Sequence, residues 1–203
     1  MSEIICVTSR QLCREDFGAR LRKLAEARPR ALILREKDLP AADYRELARQ
    51  ALAVCAAHGV ACVLHGFADV AAELGCGALH LPLPRLRELT PEGRAAFPVL
   101  GASCHSPAEA REAAALGCTY ITAGHIFDTA CKQGLPGRGL DFLREVCRET
   151  DLPVYAIGGV TPRNYGAVRA AGAAGACVMS GAMTCPDPIV YLAAFEEENR
   201  ETD

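Results

Sequence analysis

The residues best suited to chemistry sit together in one stretch, Gly124-His125-Ile126-Phe127-Asp128-Thr129-Ala130-Cys131-Lys132-Gln133-Gly134, just beyond an apolar strand-like segment at 119–122. His125 stands where a strand would end, and Lys132 lies in the glycine-bounded loop that follows. An imidazole both takes and gives a proton near neutral pH, and a lysine holds an anion. The pairing predicts proton movement on a small phosphorylated molecule. A capping or core role is the plainer reading of a histidine at a strand end. Cys131 could act as a nucleophile, but proton movement needs no covalent step, so it reads as a structural or lining residue.

Two further segments carry anion-binding character. Ala156-Ile157-Gly158-Gly159-Val160-Thr161-Pro162 and Val178-Met179-Ser180-Gly181-Ala182 each run from an apolar strand pattern into glycines and then a helix start. Glycine lets backbone N–H groups approach phosphate oxygens, and a helix N-terminus points such groups outward. The sites expected for a phosphate are therefore Gly158, Gly159, Met179, Ser180 and Gly181. Arg35 and Lys37 alternate along Leu34-Arg35-Glu36-Lys37-Asp38, so both can face one side. Pointing inward, Arg35 would hold an oxyanion through two donors and Lys37 would act as a point charge. Pointing outward, they would be a solvated charge cluster.

The elements that must position these residues read as strand and helix in alternation. Strand candidates fall at 4–8, 31–35, 61–64, 78–81, 99–103, 119–122, 154–157 and 176–179. Most are continuous apolar runs, which suits strands buried on both faces. Ser106-Pro107-Ala108-Glu109 reads as a capping box and Gly117 as that helix's stop; Thr161-Pro162 opens another helix, which Gly172 ends. Eight such strands and about as many helices in 203 residues predict an α/β protein, a (β/α)8 TIM barrel forming a single domain over residues 1–203. A doubly wound open sheet is the alternative. In a barrel, active sites lie at the C-terminal ends of the strands. His65, Pro82 and His105 join His125 there, whereas His80 falls inside a strand and His58 at a helix end.

Composition excludes several classes. A net charge of −3 and the absence of a basic, aromatic-studded patch argue against a nucleic-acid partner. No apolar run reaches the length of a membrane span, and the N-terminus lacks signal-peptide character, so the chain reads as cytoplasmic. The eleven cysteines are odd in number and form no CxxC pair, which suggests reduced thiols. No histidine pair has metal-ligand spacing. The oligomeric state is left open, a homo-oligomer included.

At this point the chain resembles the thiamine phosphate synthase superfamily. Leu34–Asp38, Ser103-Cys104-His105-Ser106, Gly124–Thr129, Cys131-Lys132 and Ala156–Gly159 match its pattern in order and spacing, over about residues 4 to 190. The resemblance implies two branches. The synthase branch joins a pyrimidine diphosphate to a thiazole phosphate and needs Mg²⁺, held by aspartates in an Asn-Asp pair after strand three and a Gly-Gln-x-Asp run after strand four. Here those positions read His65-Gly66 and Pro82-Leu83-Pro84-Arg85. The second branch, TenI-type thiazole tautomerases, lacks that metal pair and carries a catalytic histidine where synthases usually have proline. The resemblance transfers that role to His125. It implies an isomerase with no cofactor and no metal, acting on a phosphorylated carboxythiazole tautomer in thiamine biosynthesis. Arg35, Lys37 or Lys132 would then meet its carboxylate or phosphate. The alternatives are a thiamine phosphate synthase, or a regulatory protein that binds thiazole phosphate without turning it over.

Overall fold

The apolar runs do form strands, and their neighbours in sequence are their neighbours in space. In the computed structural model, which describes residues 2–129 and 134–200 with side chains through Glu197, eight parallel strands close into a barrel. They are β1 (Ile4–Val7), β2 (Ala31–Leu34), β3 (Ala61–His65), β4 (Ala78–Pro82), β5 (Val99–Cys104), β6 (Tyr120–Gly124), β7 (Val154–Ile157) and β8 (Gly175–Val178). β1 closes the ring by pairing with β8, Ile5 opposite Cys177. Helices connect the strands and cover the outside, as parallel pairing demands of its crossovers. The strand boundaries match the sequence expectation to within two residues. The largest change is at β6, which runs on to Gly124 and so delivers His125 directly at its end.

The continuous hydrophobicity of the strands comes from two concentric cores. Ile5, Val7, Ile33, Val63, Tyr155 and Cys177 point into the barrel and pack with one another. The alternate residues, among them Cys6, Leu32, Leu34, Leu64 and Leu79, point outward against the helices. Burying each such side chain contributes about 1.5–3 kcal/mol. The described cysteines are free thiols, and most are buried in these layers as small hydrophobes.

Polar groups in the barrel interior are paired. His80, in β4, bonds through Nδ1 to Tyr120 Oη at 3.0 Å and through Nε2 to Ser103 Oγ at 2.9 Å. The ring pair fits only because β5 carries Gly101 opposite. A Cβ there would lie 2.3 Å from Tyr120 Cζ and 2.5 Å from His80 Nδ1. Burial holds the His80 ring neutral, its pKa well below the usual value.

The helix signals hold with one alteration. Ser106 Oγ accepts the Glu109 N–H at 3.1 Å at the start of the helix Pro107–Ala115. The Glu109 carboxylate, however, reaches past the cap residue to the backbone N–H of His105, at 2.5 Å. The cap thereby fixes His105 at the exit of β5.

Candidate active site

A cavity of about 540 Å3 opens at the C-terminal ends of the strands. Its β6–β8 side is built from backbone. Beyond β6, Ile126 N–H donates to Ile157 O and Phe127 N–H to Gly158 O, both at 3.0 Å. On the other flank of the same segment, Arg138 N–H donates to His125 O at 3.0 Å and Gly139 N–H to Ile126 O at 2.9 Å. Segment 125–128 is thus held between the β7 loop and a returning strap, 134–139. The His125 ring lines the cavity, with Nε2 at 3.2 Å from Leu135 O and 3.0 Å from Pro136 O.

The β7 loop presses on the back of this segment. Gly158 and Gly159 have φ of 97° and 67°, in the left-handed region that only glycine adopts without strain. A Cβ on Gly158 would lie 2.4 Å from His125 Cβ, and one on Gly159 would lie 2.6 Å from Asp128 O. Asn164 locks the loop: its Oδ1 accepts the Thr161 N–H at 2.8 Å and its Nδ2 donates to Gly159 O at 3.0 Å. Among the described residues, the N–H groups of Gly159, Ser180 and Gly181 have no backbone acceptor. Gly181 is backed by Tyr191, whose hydroxyl would be 2.1 Å from a Cβ at that position.

The β2–β4 side is built from charge. Arg35 and Lys37 both line the cavity, as strand alternation requires. The residue between them, Glu36, turns the other way and is buried, accepting the Thr8 hydroxyl at 2.6 Å and the Arg10 N–H at 2.9 Å. Burial pushes its carboxyl pKa up. Thr8 Oγ1 also accepts the Arg35 N–H at 3.0 Å, which ties the β2 exit to β1. Arg35 Nη1 lies 3.9 Å from Met179 Sδ, so β2 and β8 meet across the mouth. His65 stacks on His80 with centroids 5.5 Å apart. Burial, followed by the charges of Arg35 and Lys37, drives its pKa down to about 3. The ring is therefore neutral, kept so first by burial and then by the neighbouring cations.

Of the residues singled out by sequence, the structure brings Arg35, Lys37, His125, Gly158, Gly159, Met179, Ser180 and Gly181 around this one cavity. Lys132 and Cys131 lie outside the described residues. His105 also lines the cavity, with Nδ1 2.9 Å from Gly124 O. Sequence reasoning missed Ser103 and Thr122, which face inward two residues before the strand-end positions, a spacing from which they could have been read. It also missed Asn164 and Tyr191, whose places depend on packing between distant segments.

No aspartate or glutamate lines the cavity among the described residues, and 130–133 contain none. Nor, among the described residues, do three or more His, Cys, Asp or Glu side chains cluster as a metal site. A hard divalent cation takes oxygen ligands, so a guanidinium, an ammonium and imidazoles form a donor set that does not fit Mg²⁺.

The comparisons with known proteins agree with this architecture. The chain is 36% identical over 166 residues to a putative thiamine-phosphate synthase of Geobacter sulfurreducens, covering 78% of this chain and 76% of that protein. It is also 36% identical over 188 residues to the bifunctional ThiM/ThiE protein of Symbiobacterium thermophilum, covering 89% of this chain but spanning only 38% of that longer protein. A solved thiamine phosphate pyrophosphorylase from Pyrococcus furiosus superposes with a TM-score of 0.82 at 24% identity, over 98% of this chain and 96% of that one, a likeness of fold. No helix among the described residues is long and apolar enough to cross a membrane. The family model described as thiamine monophosphate synthase matches residues 4–182, and the chain belongs to that family, TMP-TENI.

Proposed function

We propose that this member of the family is a thiazole tautomerase, a metal-independent isomerase that aromatises a phosphorylated carboxythiazole tautomer. The observation that carries the reading is a histidine at the β6 exit of a cavity whose described lining holds cations and no carboxylate. The substrate is a dihydrothiazole with an exocyclic double bond. The C–H bond at the ring carbon bearing the carboxylate breaks, and its proton passes to the His125 imidazole. The electron pair moves into the ring, and the exocyclic carbon takes the proton back from the same imidazole. Atoms and charge balance with no other reactant, and aromatisation drives the step. A positioned acid/base group contributes about 10²–10⁴-fold. The N–H groups of Gly159, Ser180 and Gly181 would hold the phosphate and so fix the reacting carbons beside His125. Arg35 and Lys37 would bind the carboxylate as an anion, the guanidinium through its forked donors and the ammonium as a point charge.

The names of the relatives favour a second reading, transfer of a pyrimidine from its diphosphate to thiazole phosphate. One experiment separates the two. The protein is incubated with the dihydrothiazole phosphate, with and without EDTA, and the aromatic chromophore is followed. A parallel reaction contains the pyrimidine diphosphate, thiazole phosphate and Mg²⁺. EDTA-insensitive aromatisation with no pyrophosphate release is expected. Mg²⁺-dependent pyrophosphate release without aromatisation overturns the isomerase in favour of the transferase.

A further inference from the structure

We propose that Asp128 is a positioning residue for His125: it pins the returning strap whose carbonyls hold the proton on Nε2, leaving Nδ1 as the atom that moves the substrate proton. The inference rests on the tautomerase reading for its kinetic consequence, and on geometry alone for the state of the ring.

The argument begins with donors and acceptors. A backbone carbonyl only accepts, so an imidazole nitrogen 3.0 Å from Pro136 O and 3.2 Å from Leu135 O must carry hydrogen. In the neutral ring the other nitrogen, Nδ1, then holds the lone pair. Among the described residues no hydrogen bond reaches it. The two carbonyls belong to the strap, and Asp128 Oδ1 accepts the Gly137 N–H at 2.7 Å, directly after Pro136. Gly137 is the residue that permits this approach: a Cβ there would lie 2.6 Å from Ile126 O and 2.7 Å from Phe127 Cα. The chain of contacts therefore runs from the Asp128 carboxylate through Gly137 to the Leu135 and Pro136 carbonyls and back to the ring of His125. A ring in the wrong tautomer presents N–H where a base is needed.

His105 supplies an internal reference of opposite sense. Its Nδ1 is 2.9 Å from Gly124 O, so by the same reasoning its proton sits on Nδ1.

Two-bond nitrogen–proton correlation spectra of the uniformly ¹⁵N-labelled protein, recorded at alkaline pH, read both tautomers directly. His125 is assigned by the resonance lost in His125→Gln. The expected spectrum has His125 protonated on Nε2 and His105 on Nδ1. In Asp128→Ala the His125 signals should move to those of a tautomer mixture, while Asp128→Asn, whose carboxamide oxygen still accepts, should keep the Nε2 form. Gly137→Ala should mix the tautomers with the acid intact, so a folding failure of either single variant leaves the test standing. In turnover, Asp128→Ala should lower kcat by about 10–100-fold with KM little changed, and Asp128→Asn should recover most of it. His125 protonated on Nδ1 in the parent, or unchanged in both Asp128→Ala and Gly137→Ala, overturns the proposal. Because the spectra need no substrate, an Nε2-protonated ring in a protein that does not isomerise would refute the tautomerase reading and not the positioning.

Discussion

The two sides of the cavity present different groups to whatever enters it. From β6 to β8 the surface is main chain: Gly159, Ser180 and Gly181 offer N–H groups, and the His125 imidazole stands among them. From β2 to β4 it is side chain: Arg35 and Lys37 supply net charge over a stacked, neutral His65–His80 pair. Backbone donors are fixed by the fold and indifferent to most substitutions except those that add a Cβ. Charged side chains are replaced easily, and the β2–β4 side is also where the family's metal-binding aspartates would stand. Substitution can change that side while the backbone donors of the other stay the same.

Substitutions on the two sides should therefore differ in kind. The largest effect is expected from His125→Gln, which should cut isomerisation by about 10²–10⁴-fold while calorimetric binding of the thiazole phosphate product persists. Unchanged turnover would remove His125 from the chemistry. Next, Gly158→Ala forces a side chain into a left-handed backbone position and onto His125 Cβ. It should lower thermal stability by about 1–3 kcal/mol and reduce kcat/KM together with it. On the charged side, Arg35→Met should raise KM about tenfold with kcat little altered, more at low salt than at high. An equal loss in kcat would mean that the guanidinium also acts in the transition state.

A pH slope of comparable size completes the comparison. An unfolded histidine titrates near pH 6.5, whereas folded His65 does so at about 3 and His80 well below its usual value. Below about pH 6.5 the unfolded chain binds protons that the folded chain refuses, so stability falls as the medium is acidified, by up to about 1.4 kcal/mol per ring per pH unit. The contribution is fully present above 6.5 and lost toward 3. Urea denaturation at pH 7 and pH 5 should show a shallower loss in His80→Gln than in the parent. The raised Glu36 carboxyl gives a slope of the opposite sign, which is common to both proteins and cancels in the comparison.

The barrel was legible because most strands are apolar on both faces and several helices carry start and stop chemistry, as at Ser106-Pro107 and Thr161-Pro162. Alternation placed Arg35 and Lys37 on one face without saying which, and Gly158, Gly159, Ser180 and Gly181 were legible from their place after the last two strands. The strap was not. Nothing in the run Leu135-Pro136-Gly137 announces that its carbonyls return to His125, because that contact is made by two segments folding back on each other. Glu36 is a second case: beside two cations it reads as part of their cluster, yet the strand's pleat turns it to Thr8 and away from the cavity. The choice between isomerase and transferase was read from which side chains stand at His65-Gly66 and Arg85, and the 36% identity to synthases carries no information on those positions by itself.

Tyr191 gives the terminal helix, Pro188–Arg200, a part in the mouth of the barrel. Its phenol fills the hollow left by the missing side chain of Gly181 and is steadied edge-on by Phe195, with ring centroids 5.4 Å apart. The match to the family model ends at residue 182, before this helix begins. A protein shortened to that boundary would retain all eight strands and the histidine, yet lose the Tyr191 plug behind Gly181. It should lose stability, because buried Leu192 and Phe195 leave the core with the helix.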